Sequence, residues 1–247
     1  MALRAIGHLI QADDNGILPR IGRQPDRSWS VILDEVIEQR QNRDCAIILR
    51  GSVARGASVK DAADLDLVIL HGDQIPPTQP LQSQKMPNLS IETSFIHHQA
   101  FDKDKRWAWM RFMLAYNGYT IFGPDKLLNL PAPQLGRHCY AHLPNADKWL
   151  KQWQVYWAED GAHKDICRWI MKRIIRALFE TQMMTLNAYS RDIYPCTMAA
   201  IDRFPHMEAA ILQAAELAIE PTTEHHLISE ITSSLTPLLQ SQQAKLT

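Results

Sequence analysis

The chain has 247 residues, 46% of them hydrophobic and 21% charged, enough to bury a core over one large domain or two modest ones and to exclude wholesale disorder. A formal net charge of -1 and a sequence pI near 6.8 argue against a dedicated nucleic-acid binder, which carries a large basic excess. The cysteines Cys45, Cys139, Cys167 and Cys196 form no CxxC pair, and Asp13 and Asp14 come before any long apolar run, so a zinc site, a disulfide framework, a secretory signal and a membrane span are not expected; a reducing cytoplasm is.

Apolar residues at Trp29, Ile32, Leu33, Val36 and Ile37 share one helical face, which predicts a helix over 29–39 with Asp26 or Ser28 as its N-cap. The run Cys45-Ala-Ile-Ile-Leu is short, contains β-branched residues and is halted at Gly51, so a buried strand is expected there, with a turn and a short helix from Ser52. Residues 65–70 alternate and then become continuously apolar, a second buried strand. Gly72, Pro76, Pro77, Pro80 and Pro87 mark a loop between His71 and Asn88. Alternation returns over 89–96, with Leu89, Ile91, Thr93 and Phe95 on one face and Ser90, Glu92 and Ser94 on the other.

Beyond the proline-bearing stretch 124–144 the sequence reads as helices: 149–157, 166–189, 197–219 with room for two, and 224 to about 243 with an interruption at Pro237. The expected fold class is therefore α+β, with residues 1–130 as a domain of mixed sheet and helices and 131–247 as a helical domain.

Asp64 and Asp66 are two apart, so on a strand both carboxylates lie on one face while Leu65 and Leu67 point into the core. Adjacent like charges repel, and a divalent cation relieves that repulsion; Mg²⁺ takes one or two carboxylates together with water and substrate phosphate oxygens. A glycine directly after a buried strand, as at Gly51, lets backbone N–H groups approach a ligand closely. The helix expected to follow would aim its N-terminus at the same point, and Ser52 adds a hydroxyl, an arrangement suited to phosphate. Glu92 stands on the polar face of its strand, where it can join the pair as a third metal ligand or as a base for an attacking hydroxyl.

Gly51-Ser52, an eleven-residue spacer (53–63) and Asp64-Leu65-Asp66 resemble the signature of the DNA polymerase β-type nucleotidyltransferase superfamily, and the Arg55-Gly56 pair is common in its small bacterial members. The motif covers about a fifth of the chain. Where many relatives have serine before the first aspartate, this chain has Ala63. The resemblance implies that Asp64, Asp66 and Glu92 hold Mg²⁺, as two ions, and that Gly51 and Ser52 hold the β- and γ-phosphates while Arg55 neutralises the triphosphate. It implies a reaction in which an acceptor hydroxyl attacks the α-phosphorus in line and pyrophosphate leaves. The two-part layout, with a Tyr119-Thr-Ile-Phe-Gly-Pro-Asp125 segment between the parts, looks like the aminoglycoside adenylyltransferases. The function implied is transfer of AMP from ATP to a hydroxyl of a small molecule, an aminoglycoside-like compound being one case. The alternatives are nucleotidylation of a protein or RNA in a toxin–antitoxin setting, and a nucleotide-binding module without catalysis.

In the helical half, Arg168, Lys172 and Arg176 line one face with Arg173 close by. Lys172 and Arg176 are the candidates for phosphate contact, against the alternative of a solvated basic face. The segment Tyr189-Ser-Arg-Asp-Ile-Tyr-Pro-Cys196 is read as a brace through Arg191 and Asp192, or as lining of the acceptor pocket. His97-His98 and His225-His226 are assigned to surface or packing, since neighbours on a strand point to opposite faces. Trp107, Trp109, Trp149 and Trp153 are expected in the core.

Overall fold

The computed structural model describes residues 7–246 apart from 41–43, 61, 63, 74–80 and 160. Ala63, Pro76, Pro77 and Pro80 lie outside the described residues. The chain divides into two units, one running Ile17–Gln134 and the other comprising the residues up to Gly16 together with those from Leu135. The first described element, β1 (Ile10–Gln11), belongs to the second of these.

In the unit Ile17–Gln134, a 3-10 turn at Arg27–Trp29 leads into α1 (Ser30–Glu38), and Asp26 caps the turn by accepting from Ser28 N at 2.9 Å. There follow β2 (Cys45–Arg50), the single-turn α2 (Gly51–Ala54), β3 (Asp64–His71) and β4 (Ser90–His97). Then come α3 (His98–Lys103), α4 (Ala108–Asn117) and β5 (Tyr119–Phe122). The sheet runs β4-β3-β2-β5, with β2 antiparallel to both neighbours and β3 parallel to β4.

The unbroken apolar run of β2 follows from its central place, since both faces are covered. Ile47 and Leu49 join Trp29, Ile32, Leu33 and Val36, with Leu65, Leu67 and Ile69 of β3, in one core. Ala46 and Ile48 join Val68, Leu70, Ile96, Phe101, Met110 and Leu114 in the other. Trp29 is fully buried, and its indole N–H donates to Ala57 O at 2.8 Å, tying α1 to the chain just beyond α2.

The other unit contains α5 (Ala146–Glu159), α6 (His163–Glu180), α7 (Met183–Leu186), β6 (Ala188–Tyr189), α8 (Ile193–Arg203), α9 (Glu208–Ile219) and α10 (His225–Gln243). Strand β6 pairs antiparallel with β1. Two expectations are corrected here. The helix expected over 166–189 ends at Glu180, and the backbone reverses at Asn187, a left-handed residue (φ 47) whose amide donates to Asp13 O at 2.9 Å. Helix α10 runs through Pro237 without a break. The span 197–219 resolves into α8 and α9, parted at Phe204 and Pro205.

Trp149 and Trp153 are buried as expected, whereas Trp107 and Trp109 are half-buried against the α4-side core. All four cysteines are buried free thiols. Among the described residues, no helix is long and apolar enough to cross a membrane.

Candidate active site

The alternation of β3 sends Leu65 and Leu67 fully into the α1-side core and leaves Asp64 and Asp66 on the opposite face, each half-buried. Register then decides their neighbours. Asp66 stands opposite Arg50 on β2 and opposite Glu92 on β4, and Asp64 stands opposite Ser90. Directly paired residues share a face, so Arg50, Asp66 and Glu92 form one row across three strands with Asp64 next to it. Arg50 Nη2 lies 2.6 Å from Asp66 Oδ1, with both side chains 17% exposed. The Arg50 Nε is buried and makes no hydrogen bond. Glu92 is exposed.

Two acids on one strand face with a third in register match what Mg²⁺ uses, namely one or two carboxylates beside substrate oxygens. Among the described residues no three acidic, histidine or cysteine side chains are gathered tightly enough to hold a metal ion by themselves. Asp66 is instead engaged by Arg50.

Gly51 has φ +74, and a Cβ there would run into Asp66 Oδ2. The glycine is therefore required by the carboxylate on the neighbouring strand as well as by its left-handed backbone. The helix after it is a single turn, so the helix-terminus contribution expected at Ser52 is small. Val53 and Ala54 are buried and anchor the turn in the α1-side core. Ser52 is half-buried, and its carbonyl accepts from Arg55 N at 3.1 Å and Ala57 N at 3.0 Å, folding the loop back on itself. With the buried Asn117 amide turned so that its oxygen faces Arg55, that oxygen accepts from Arg55 Nη1 at 3.2 Å and its nitrogen donates to Met113 O at 2.7 Å.

Lys172 and Arg176 lie on α6, in the helical unit, and both are half-buried. Arg168 at the same face pairs with Asp165 at 2.8 Å, while Arg173 lies over the Trp169 ring, 4.5 Å from its centroid. Arg176 Nε donates to Arg191 O at 3.0 Å, and the two arginines line a narrow cavity with His142, Glu180, Tyr189 and Ser190. The Glu180 carboxylate accepts from the N–H groups of Ala141, His142 and Leu143 at 2.8–3.1 Å. Burial raises its pKa to about 7, against the opposing pull of those N–H groups and of Arg191. Burial holds His142 well below the ordinary histidine value, reinforced by the positive charges of Arg191, Arg176 and Arg173. The His142 Nδ1 is buried and without a hydrogen-bond partner.

Sequence reasoning singled out Arg191 without giving it this cavity, and it missed His142 and Glu180 altogether. Neither carries a local signal, because they meet only through the turn of 141–143 onto the end of α6. Asp192, the other half of the expected brace, accepts from His8 N at 3.1 Å.

The histidine expectation is corrected in its reasoning. His97 ends β4 and His98 begins α3, so strand alternation stops between them and their rings stack, 4.7 Å apart at 22°. His71 packs edge-on against His97, whose Nε2 bonds Asp73 at 3.2 Å. His225 lies among Trp153 and Trp157, a packing role.

No protein-family model and no curated protein matches the chain. Among solved structures, the crystal structure of spectinomycin adenyltransferase AAD(9) from Enterococcus faecialis, with ATP and spectinomycin, superposes with a TM-score of 0.50 at 13% identity, covering 85% of this chain and 98% of that one. The likeness is one of fold, and it is the two-part α+β fold that the sequence motif implies.

Proposed function

We propose that the chain is a Mg²⁺-dependent nucleotidyltransferase that moves AMP from ATP to a hydroxyl of a small-molecule acceptor. The observation that carries this assignment is the row Arg50–Asp66–Glu92 beside Asp64, formed next to a left-handed Gly51 that the row itself requires. A folding argument alone does not call for three carboxylates in adjacent positions on one sheet face. Support also comes from the fold shared with an adenyltransferase solved with ATP and spectinomycin.

In this assignment Asp64 and Asp66 bind the cation and Glu92 completes its shell or serves as base. When bound, Mg²⁺ neutralises charge on the triphosphate and on the departing pyrophosphate. Gly51 and Ser52 hold the β- and γ-phosphates through backbone N–H groups and the Ser52 hydroxyl. Arg55 contributes positive charge from its anchor on Asn117. Lys172 and Arg176 of α6 are proposed as phosphate contacts. In the base role, Glu92 accepts the acceptor hydroxyl proton as the oxygen–phosphorus bond forms and the bond to the pyrophosphate oxygen breaks. Electrons and charge balance: the proton stays on the carboxylate and the negative charge leaves with pyrophosphate.

A thermal-shift titration with ATP, GTP, CTP and UTP, each with and without Mg²⁺, tests the assignment. A nucleotide at about 100 times its dissociation constant stabilises by roughly 2.7 kcal/mol. A Mg²⁺-dependent rise for ATP, followed by acceptor-dependent pyrophosphate release, is the expected result. No response to any nucleotide overturns it.

A further inference from the structure

Strand β2 is wholly apolar and buried from Cys45 to Leu49, yet it ends in a half-buried arginine directly before Gly51. That arginine is out of place as a strand terminus. Its Nη2 is bonded to Asp66 Oδ1 at 2.6 Å, its Nε is buried with no hydrogen bond, and each partner of the pair is only 17% exposed. Holding a guanidinium here carries a desolvation penalty that one carboxylate contact does not fully offset. The oxygen it occupies belongs to the central member of the acidic row.

We propose that Arg50 is an internal counter-ion for Asp66 that is exchanged when metal and nucleotide bind: it holds the carboxylate in place in the free protein and then turns to the incoming phosphates. The inference rests on the nucleotidyl-transfer assignment above and adds a positioning residue to it. Three observations support the exchange. First, Arg50 is the register partner of Asp66, so the guanidinium and any cation on that carboxylate compete for the same oxygens and repel each other. Second, Arg50 directly precedes Gly51 and Ser52, so a released guanidinium is next to the proposed phosphate cradle, with the planar fork of donors that suits phosphate. Third, the orphaned Nε leaves a donor unsatisfied in the free protein that a phosphate oxygen would satisfy.

A plain structural counter-ion would stabilise Asp66 and do nothing else, and the two roles differ in sign. With the full chain free of nucleotide, Mn²⁺ binding is followed by the loss of its free EPR signal, and Mg²⁺·ATP binding by calorimetry, for the natural protein, Arg50→Met and Arg50→Lys. Exchange predicts that Arg50→Met binds Mn²⁺ alone at least about fivefold tighter, because a competing cation is gone. It predicts that the same variant binds Mg²⁺·ATP at least about tenfold more weakly, because charge-assisted hydrogen bonds to phosphate are lost. Arg50→Lys keeps the charge and should fall between the two on both measures, which also serves if Arg50→Met folds poorly by circular dichroism. If the natural protein binds Mn²⁺ and Mg²⁺·ATP but the variants move both affinities in one direction or neither, Arg50 is a structural counter-ion and the proposal fails. If the natural protein binds neither, the nucleotidyl-transfer assignment fails, and the exchange falls with it.

Discussion

Gly51, the first residue of α2, lies against Asp66 of β3: a Cβ on Gly51 would run into Asp66 Oδ2, so the carboxylate would have to shift, and the glycine backbone is left-handed at φ +74. Gly51→Ala therefore meets both a conformational penalty and a clash with the central acid of the site. The expected loss is about 2–4 kcal/mol in urea unfolding, combining roughly 1–3 kcal/mol of backbone strain with displacement of Asp66. Nucleotide affinity should fall as well, since Asp66 must move. An alanine variant of unchanged stability would show that Asp66 and Gly51 do not constrain one another.

Asp66→Asn should abolish transfer, as the change removes a proposed metal ligand. The structure adds a consequence that the sequence alone does not give, because Asp66 also pairs with Arg50. The amide leaves the half-buried guanidinium uncompensated, and a loss of about 1–2 kcal/mol is expected even without ligand. Arg50→Met combined with Asp66→Asn should cost less than the sum of the two single changes, a coupling measurable by a double-mutant cycle. Additive losses would mean that the pair contributes nothing to stability.

Glu92→Gln separates chemistry from binding. If Glu92 is the base, as proposed, it matters chiefly in the transition state, so kcat should fall by about a hundredfold or more while Mg²⁺·ATP affinity changes little. A single-turnover assay with a responsive acceptor reads this directly. Equal losses in binding and turnover would reassign Glu92 to holding the site together.

The acidic row and the strands that carry it were legible because period-two alternation is a local property: Leu65 and Leu67 had to be buried, and that fixed where Asp64 and Asp66 point. Arg50 was not legible. Its role depends on β2 being antiparallel to β3 in the register that sets Arg50 opposite Asp66, which no local pattern encodes. Helix α4 carries no amphipathic stripe for a related reason. Met110, Phe112, Met113, Leu114, Ala115, Tyr116 and Asn117 are all buried, so its sequence is apolar around most of its circumference. Pro237 misled because a proline removes one hydrogen bond without ending a helix whose Ile228, Ile231, Leu235 and Leu239 are buried along one side.

Trp29 links the first core to the loop behind the proposed phosphate cradle. Its side chain is fully buried, and its indole N–H donates to Ala57 O, while Ala57 N donates to Ser52 O. Trp29→Phe removes that donor and part of the buried ring, an expected loss of about 2–3 kcal/mol by thermal or urea unfolding. Since the loop holds Ser52, nucleotide affinity should weaken in the same variant. A variant with lowered stability but unaltered nucleotide affinity would show that the Ala57 contact serves the core alone.

The helical unit carries a pH signature made of two opposing groups. Glu180 has a folded pKa raised by burial from 4.5 to about 7, so the folded state keeps its proton where the unfolded chain has lost it. Its contribution to stability is present in full below pH 4.5 and is lost as pH rises toward 7. His142 is held well below 6.5 by burial and by Arg191, Arg176 and Arg173, so the unfolded chain takes up a proton that the folded one refuses. Its contribution is present above pH 6.5 and is lost as pH falls. Below pH 6.5 the two slopes have opposite sign, which predicts a stability profile flatter than either group alone would give. Glu180→Gln should unmask the histidine, giving stability that falls on acidification below 6.5. His142→Gln should unmask the carboxyl, giving stability that rises as pH is lowered from 7 toward 4.5. Urea midpoints of the three proteins between pH 4.5 and 7.5 measure all three slopes, and parallel profiles would mean that neither group titrates differently on folding.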